Sequence, residues 1–333
     1  MLAYFTADRL GLQTGGGVVT KNEHDALAEL GTVELYNPTP TQNPFETEKQ
    51  IDLGKLKNIK LAHFYSGTFP DVVAELKKNG TKVVYTAAAH DVDLSKQEFE
   101  SLGLKYDLPH LTNPSLKEKY LSSYLLADIV ICPSNHSKQV MENFGCKNVK
   151  VIPHGCHALQ AKPYPKTFTV GYLGQIGPDK GLRYLFEAWS MLNYDDAVLN
   201  LAGYQSIDLI HMARFFGKGN INIMGFVKNI EDFYNSINLY VQPSVTEGFG
   251  IEILEALSAG RPVVASDGAG ASDCVGECGI VVPKRNPEAL AKAIDSFKNK
   301  NITIIENCQN QAKKYTWDKI RPEYIKVWKE LLR

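Results

Sequence analysis

Glu247 and Glu255 stand eight residues apart in TEGFGIEILEALSAG (246–260), with Gly248 and Gly250 between them. A carboxylate accepts two hydrogen bonds, so each acid can grip a pair of hydroxyl groups. The stretch from Ile251 reads as a helix, with Ile253, Leu254 and Leu257 turned to a core and Gly260 as its stop. Glu252, Glu255 and Ser258 share its polar side. The N–H groups of Phe249, Gly250 and Ile251 lie at the positive end of that helix, where an anion is favoured. The glycines let the backbone press against a ligand. A diphosphate on the amides, a sugar against Glu247 and a ribose against Glu255 fit this spacing. Two solvated acids at a helix end explain the pair equally well when it is taken alone.

Other stretches add to it. In GYLGQIGPDKG (171–181) a strand runs into a glycine turn holding Gly174 and Gln175, and Lys180 precedes the next helix. A point charge beside a helix N-terminus suits a diphosphate. Thr14-Gly15-Gly16-Gly17 follows the first strand and precedes another helix, again an anion- or hydroxyl-binding turn or simply a flexible one. His90 ends the fourth strand, where it either touches a ligand or is satisfied by neighbouring loops. Asp91-Val-Asp93 has the form of a metal-binding acid pair, but its place before LSKQEFESLG favours capping that helix. No metal is expected. Neither GxGxxG nor GxxxxGK[ST] occurs.

These residues need elements to hold them. Short apolar runs alternate with amphipathic stretches: LAYFT, TVELY, LAHFY, KVVYT, DIVIC and VKVIP in the first half, then FTVGYLG, VLNLAG, INIMG, NLYVQP, PVVAS and GIVVP. Continuous apolar runs mark strands buried on both faces, as in parallel sheets covered by helices. The seam falls near 155–167, a proline-containing connector. Residues 1–155 therefore form one Rossmann-like domain, joined by a terminal helix at about 317–333. Residues 156–316 form the second. Ligands of such sheets sit outside the carboxyl ends of the strands, so the two glycine turns belong at the mouth of a cleft. Residues 37–50, with three prolines, read as an exposed loop.

The 333 residues suit two domains, and 44% hydrophobic against 22% charged residues is a globular composition. A net charge of -1 recommends neither nucleic acid nor an anionic membrane. No run reaches the ~18 apolar residues of a membrane span. Asp8 and Arg9 interrupt the start where a signal peptide stays apolar, and the six cysteines are mostly far apart, so reduced thiols in the cytoplasm are expected.

Taken in order, these stretches resemble the retaining glycosyltransferases of family 4. The resemblance covers most of the chain and is strongest from about 168 to 290. TEGFGIEILEALSAGRPVVAS looks like the family's E-x7-E signature, and GYLGQIGPDKGLRYLFEAW like its phosphate-binding turn. NINIMGFVKNIEDFYNSINLYVQPS, ICPSNHSKQVMENFG and VIPHGCH resemble the landmarks before them. The resemblance implies an α/β fold of GT-B type: two facing Rossmann-like, doubly wound parallel-sheet domains with a cleft between them, acceptor in the first and donor in the second. It implies a metal-independent hexosyltransferase with no cofactor, using a nucleotide-diphosphate sugar, UDP first and GDP second. Glu255 would bind the ribose and Glu247 the donor sugar, with His90 reaching the sugar too. Lys180 would meet the diphosphate, Phe226 and Val227 the base, and Gly15, Gly16 and Gly17 the donor and acceptor. Gln175 stands where the family commonly has arginine, so Lys180, the amides of 249–251 and the helix dipoles would carry more of the leaving-group charge. The other readings are a GT-B epimerase and a non-catalytic sugar-nucleotide binder. Partners would be the nucleotide sugar and a hydroxylated acceptor, not nucleic acid. Weak peripheral contact with a membrane stays open, and the oligomeric state is not set by the sequence.

Overall fold

A computed structural model describes residues 1–7, 15–41, 43–65, 67–204, 220–298 and 304–333. Each of the apolar runs becomes a strand: β1 (Leu2–Thr6), β2 (Val33–Tyr36), β3 (Leu61–Tyr65), β4 (Lys82–Thr86), β5 (Ile129–Cys132) and β6 (Val149–Val151), then β7 (Phe168–Leu173), β8 (Ala197–Ala202), β9 (Ile221–Gly225), β10 (Leu239–Gln242), β11 (Val263–Ser266) and β12 (Gly279–Val282). They form two six-stranded sheets in the orders β2-β1-β3-β4-β5-β6 and β12-β11-β10-β7-β8-β9. Every pairing is parallel.

The second order, read from its other edge, is the doubly wound one in which chain direction reverses between the first and fourth strands of the unit, here β7 and β10. The first sheet reverses between β1 and β3. Successive side chains alternate faces, as a strand's period of two requires. Leu239 and Val241 enter one core of the second sheet with Leu199 and Val264. Tyr240 enters the other with Val263 and Ala265. Both faces of the sheet's centre are therefore covered, which is why its inner strands β10 and β11 read as apolar runs.

The chain divides into two compact units. One comprises Met1–Ala89, Asp107–Gly155 and Trp317–Arg333, the other His90–Tyr106 and Cys156–Thr316. The terminal helix Trp317–Leu332 buries Trp317, Ile320, Tyr324, Val327 and Trp328 as one stripe. That stripe packs with Leu2, Tyr4 and Leu61 in a core of the first sheet. Residues 90–106, expected with the first half, group with the second unit. The cause is the helix Val92–Ser101, whose buried Glu98 pairs with Arg285, and Leu102, which packs into the core beneath β7 and β8.

One expectation about loops changes, and the connector gains partners. The connector is pinned to the second unit. Ser258 Oγ accepts from Leu159 N–H (2.9 Å), Glu231 accepts from Gln160 N–H (3.0 Å), and the fully buried Arg261 donates to Lys162 O (2.8 Å). Residues 37–50 are only partly an exposed loop, since Pro44–Glu48 is a short helix capped by Asn43, with Phe45, Thr47 and Glu48 buried.

Candidate functional site

The site grows from the carboxyl ends of β7 and β10, the switch point of the second sheet. After β7 the chain turns through Gly174 at φ +151°. Gly174 N–H donates to Ala202 O (3.0 Å) and Ile176 N–H to Tyr204 O (2.9 Å), which knits the turn to the end of β8. Gly203 lies so close beneath it that a Cβ there would overlap the Gly174 carbonyl. Gln175 is exposed, and its carbonyl accepts from the Tyr172 hydroxyl (2.7 Å).

Lys180 ends a single tight turn, Pro178–Lys180. Gly181, left-handed at φ +69°, then starts the helix Leu182–Leu192. The Asp179 carbonyl accepts from Val245 N–H (2.8 Å), strapping this turn to the segment after β10. That strap sets Lys180 beside Glu247, and its ammonium donates to Glu247 Oε2. Both side chains keep some exposure, 17% and 21%. Burial works against the ammonium, but Glu247 and Asp179 outweigh it and hold its pKa above the ordinary lysine range.

The helix after Gly250 is Glu252–Ser258. Phe249 and Ile251 bury their side chains in the core, so only their backbone can meet a ligand. Gly250, at φ +85°, makes the bend between them. Glu255 is half-buried, and Tyr234 Oη donates to its Oε2 at 2.9 Å. Burial pushes Glu255 up to about 7, and the Tyr234 hydrogen bond works the other way. Ser258 does not share the ligand side, since its hydroxyl donates to His157 O (2.9 Å) and so belongs to the pinned connector.

Glu252 is a third carboxyl, counted in the sequence only as a polar-face neighbour of Glu255. It sits between the two glycine bends. A Cβ on Gly174 would stand 3.8 Å from its Oε1, and one on Gly250 4.0 Å from its Oε2. Burial, with Glu247 and Glu255 adding like charge, pushes it up to about 8, so it holds its proton at neutral pH.

His90 does not end a strand. β4 stops at Thr86, and His90 follows in the segment carried by the second unit. Next to it, Asp91 N–H donates to Thr246 Oγ1 (2.7 Å), one residue before Glu247. Burial lowers the His90 pKa, Asp179 and Glu247 push it up, and Lys180 pushes it down, so the imidazole lies within the field of the site's charged groups. The Asp91 carboxylate accepts from Asp93 N–H and Leu94 N–H (3.0 Å each), which is the capping role. Among the described residues no group of three His, Cys, Asp or Glu could hold a metal ion.

Phe226 is 56% exposed just after β9, with its ring centroid 5.3 Å from that of Tyr204, itself 71% exposed. Tyr204 carries no motif and was missed. Val227 is partly buried against the core. The structure thus gathers His90, Gly174, Gln175, Lys180, Glu247, Phe249, Gly250, Ile251 and Glu255 in one unit, with Phe226 and Val227 on the same sheet's carboxyl side. Gly16 and Gly17 stand in the other unit, as the first turn of the helix Gly15–Ala28 and not as a turn ahead of it. Thr14 lies outside the described residues.

Residues 167–299 match the family model Glycosyl transferases group 1. The capsular polysaccharide biosynthesis glycosyltransferase CapM of Staphylococcus aureus is 30% identical over 229 residues, 65% of this chain and 58% of CapM. The matched regions span about half the length of the first curated relatives, 58%, 45% and 44%. Among solved structures, sucrose-phosphate synthase from Thermosynechococcus elongatus superposes with a TM-score of 0.78, covering 99% of each chain at 18% identity. Anabaena Alr3699/HepE in complex with UDP and glucose gives 0.75, also over 99% of each chain and at 18% identity. These likenesses, with the two parallel sheets, make the fold GT-B. Among the described residues no helix is long and apolar enough to cross a membrane.

Proposed function

We propose that the protein is a glycosyltransferase of family 4 that moves a sugar, with retention, from a nucleotide-diphosphate sugar to a hydroxyl acceptor. The observation that carries this reading is the Lys180–Glu247 pair, set with Glu252 and Glu255 at the switch point of a Glycosyl transferases group 1 domain. In this reading Glu247 contacts the donor sugar, Glu255 the ribose, and Lys180 the diphosphate with the amides of 249–251. Phe226, joined by Tyr204, offers an aromatic face to the base. UDP is the first choice of nucleotide, supported by the UDP in the HepE complex, and GDP the second.

The C1–O bond to the diphosphate loosens, and positive charge grows on the sugar. The acceptor hydroxyl enters from the face the diphosphate leaves, and the departing phosphate takes its proton. Fixed charges supply the main stabilisation, because they are already oriented where charge develops. Gln175 brings hydrogen bonds but no charge, so Lys180 is the main cation on the leaving group. No metal or cofactor is assigned. The unit of Met1–Ala89, Asp107–Gly155 and Trp317–Arg333 would hold the acceptor. The six free, buried cysteines suit a reducing compartment, the cytoplasm.

A thermal-shift panel of UDP, GDP, ADP and their sugar conjugates tests the reading, with Glu255→Ala in parallel. One nucleotide should raise the melting temperature, and less so in the variant. Incubation of that donor with acceptors, followed at the anomeric proton by NMR, tests retention. An inverted product, or no shift up to millimolar nucleotide, overturns it.

A further inference from the structure

His90 reaches the site on a strap that the chain's order does not explain. Residues 90–106 lie in sequence between β4 and β5 of the first sheet, yet they pack with the second unit. The strap is held at both ends and in the middle. At its start Asp91 N–H donates to Thr246 Oγ1 at 2.7 Å. Near its end Leu102 packs into the second unit's core, and Arg183 Nη1 donates to Ser101 Oγ at 3.0 Å. In the middle Glu98, only 3% exposed, accepts from Arg285 Nε at 2.7 Å, and the Tyr184 hydroxyl lies 3.2 Å and 3.3 Å from its two oxygens. Arg285 Nη2 adds a bond to Gln97 Oε1 at 3.1 Å.

None of these groups belongs to the machinery proposed above. A buried carboxylate needs a partner, and Arg285 and Tyr184 supply one each from the second unit. Arg285 also takes a left-handed backbone, φ +59°, which an L-residue with a long side chain adopts at a cost. The fold holds that conformation where the guanidinium reaches Glu98.

We propose that the Glu98–Arg285 pair is a latch that makes the 90–106 strap part of the second unit and so positions His90 beside Lys180 and Glu247. Glu98 and Arg285 are positioning residues acting through His90. The proposal rests on the transferase reading for its kinetic arm only.

Two variants test it on the full chain. Glu98→Gln removes the charge without removing the shape. Arg285→Gly deletes the guanidinium where glycine tolerates the left-handed backbone, so the turn keeps its path. Hydrogen exchange is the first readout. Amides of 94–101 should exchange faster in both variants while those of β7 and β8 stay protected. Unchanged exchange in 94–101 overturns the latch, whether or not any sugar is transferred. The second readout is a double-mutant cycle with His90→Ala. Each latch variant should lower kcat roughly ten- to hundredfold, through misplacement, with UDP affinity nearly unchanged. His90→Ala should then cost far less in the Glu98→Gln background than in the wild type. Additive losses overturn the proposal. A wild type without turnover on any nucleotide sugar refutes the transferase reading, and the exchange result still decides the latch.

Discussion

The Lys180 ammonium donates to Glu247 across the two loops that leave β7 and β10. The chief cation of the proposed diphosphate site and the acid proposed for the donor sugar are thus ion-paired with each other. In the proposed reading a diphosphate takes Lys180 over and so frees Glu247.

The two partners should therefore respond differently to substitution. Lys180→Met removes a charge-assisted hydrogen bond, about 1.5–3 kcal/mol, so nucleotide diphosphate affinity should fall about 10- to 100-fold. Glu247→Gln should bind the same nucleotide as tightly or more tightly, and lose turnover. Calorimetric titration of both variants checks this. Equal loss of binding in the two would show that the pair is not split by the ligand.

Glu252 should make stability fall as the medium becomes alkaline. Its folded pKa lies near 8 against an ordinary 4.5. The stability it contributes is full below 4.5 and is lost as pH rises to about 8. Glu252→Gln should be no more stable than wild type at pH 4 and more stable at pH 9, by about 1–2 kcal/mol after allowance for solvent screening. Urea unfolding at both pH values measures it.

Glu255 gives a pH signature in binding. Burial holds it near 7, and two ribose hydroxyls would favour its charged form. Nucleotide binding at pH 6.5 should release protons from this group, as seen by calorimetry in buffers of different ionisation heat. Glu255→Gln should abolish that release. Release that persists in the variant would remove Glu255 from the ribose.

Trp328 ties the terminal helix to a buried histidine. Its indole N–H can only donate, and it lies 3.1 Å from His63 Nδ1. That leaves the His63 proton on Nε2, which faces Glu23 Oε2 at 2.9 Å. Trp328→Phe strands the buried Nδ1 and should cost about 1–3 kcal/mol. Nitrogen chemical shifts should report the Nε2–H tautomer in the wild type, and denaturant melts the loss.

Gly203→Ala should be among the most damaging small changes. Its Cβ would overlap the Gly174 carbonyl, and φ at 203 is +136°. Overpacking and backbone strain together should cost on the order of 3 kcal/mol and weaken nucleotide binding by shifting the Gly174 turn. A variant as stable as wild type would mean that the two bends do not touch.

The inner strands β1, β3, β5, β10 and β11 were readable because a strand buried on both faces is mostly apolar, a local property of the chain, whereas the edge strands β2, β6, β9 and β12 are partly exposed. The helix after Gly250 was readable from its period, with Ile253, Leu254 and Leu257 inward. Ser258 was misjudged for the reverse reason. It shares a helical side with Glu252 and Glu255, but its partners, His157 and Leu159, lie about a hundred residues back. Tyr204 and Glu98 gave no signal, because a lone tyrosine or glutamate acquires meaning only from what packs beside it.

By itself the sequence determined the strands, the glycine bends and the acids at 247 and 255, since periodicity, φ preference and charge are properties of neighbours along the chain. Only the tertiary structure decided that Lys180 meets Glu247, that Glu252 keeps its proton, and that His90 travels with the second unit. Those outcomes depend on distance and burial between residues far apart in sequence, and electrostatic and packing energies are set by both.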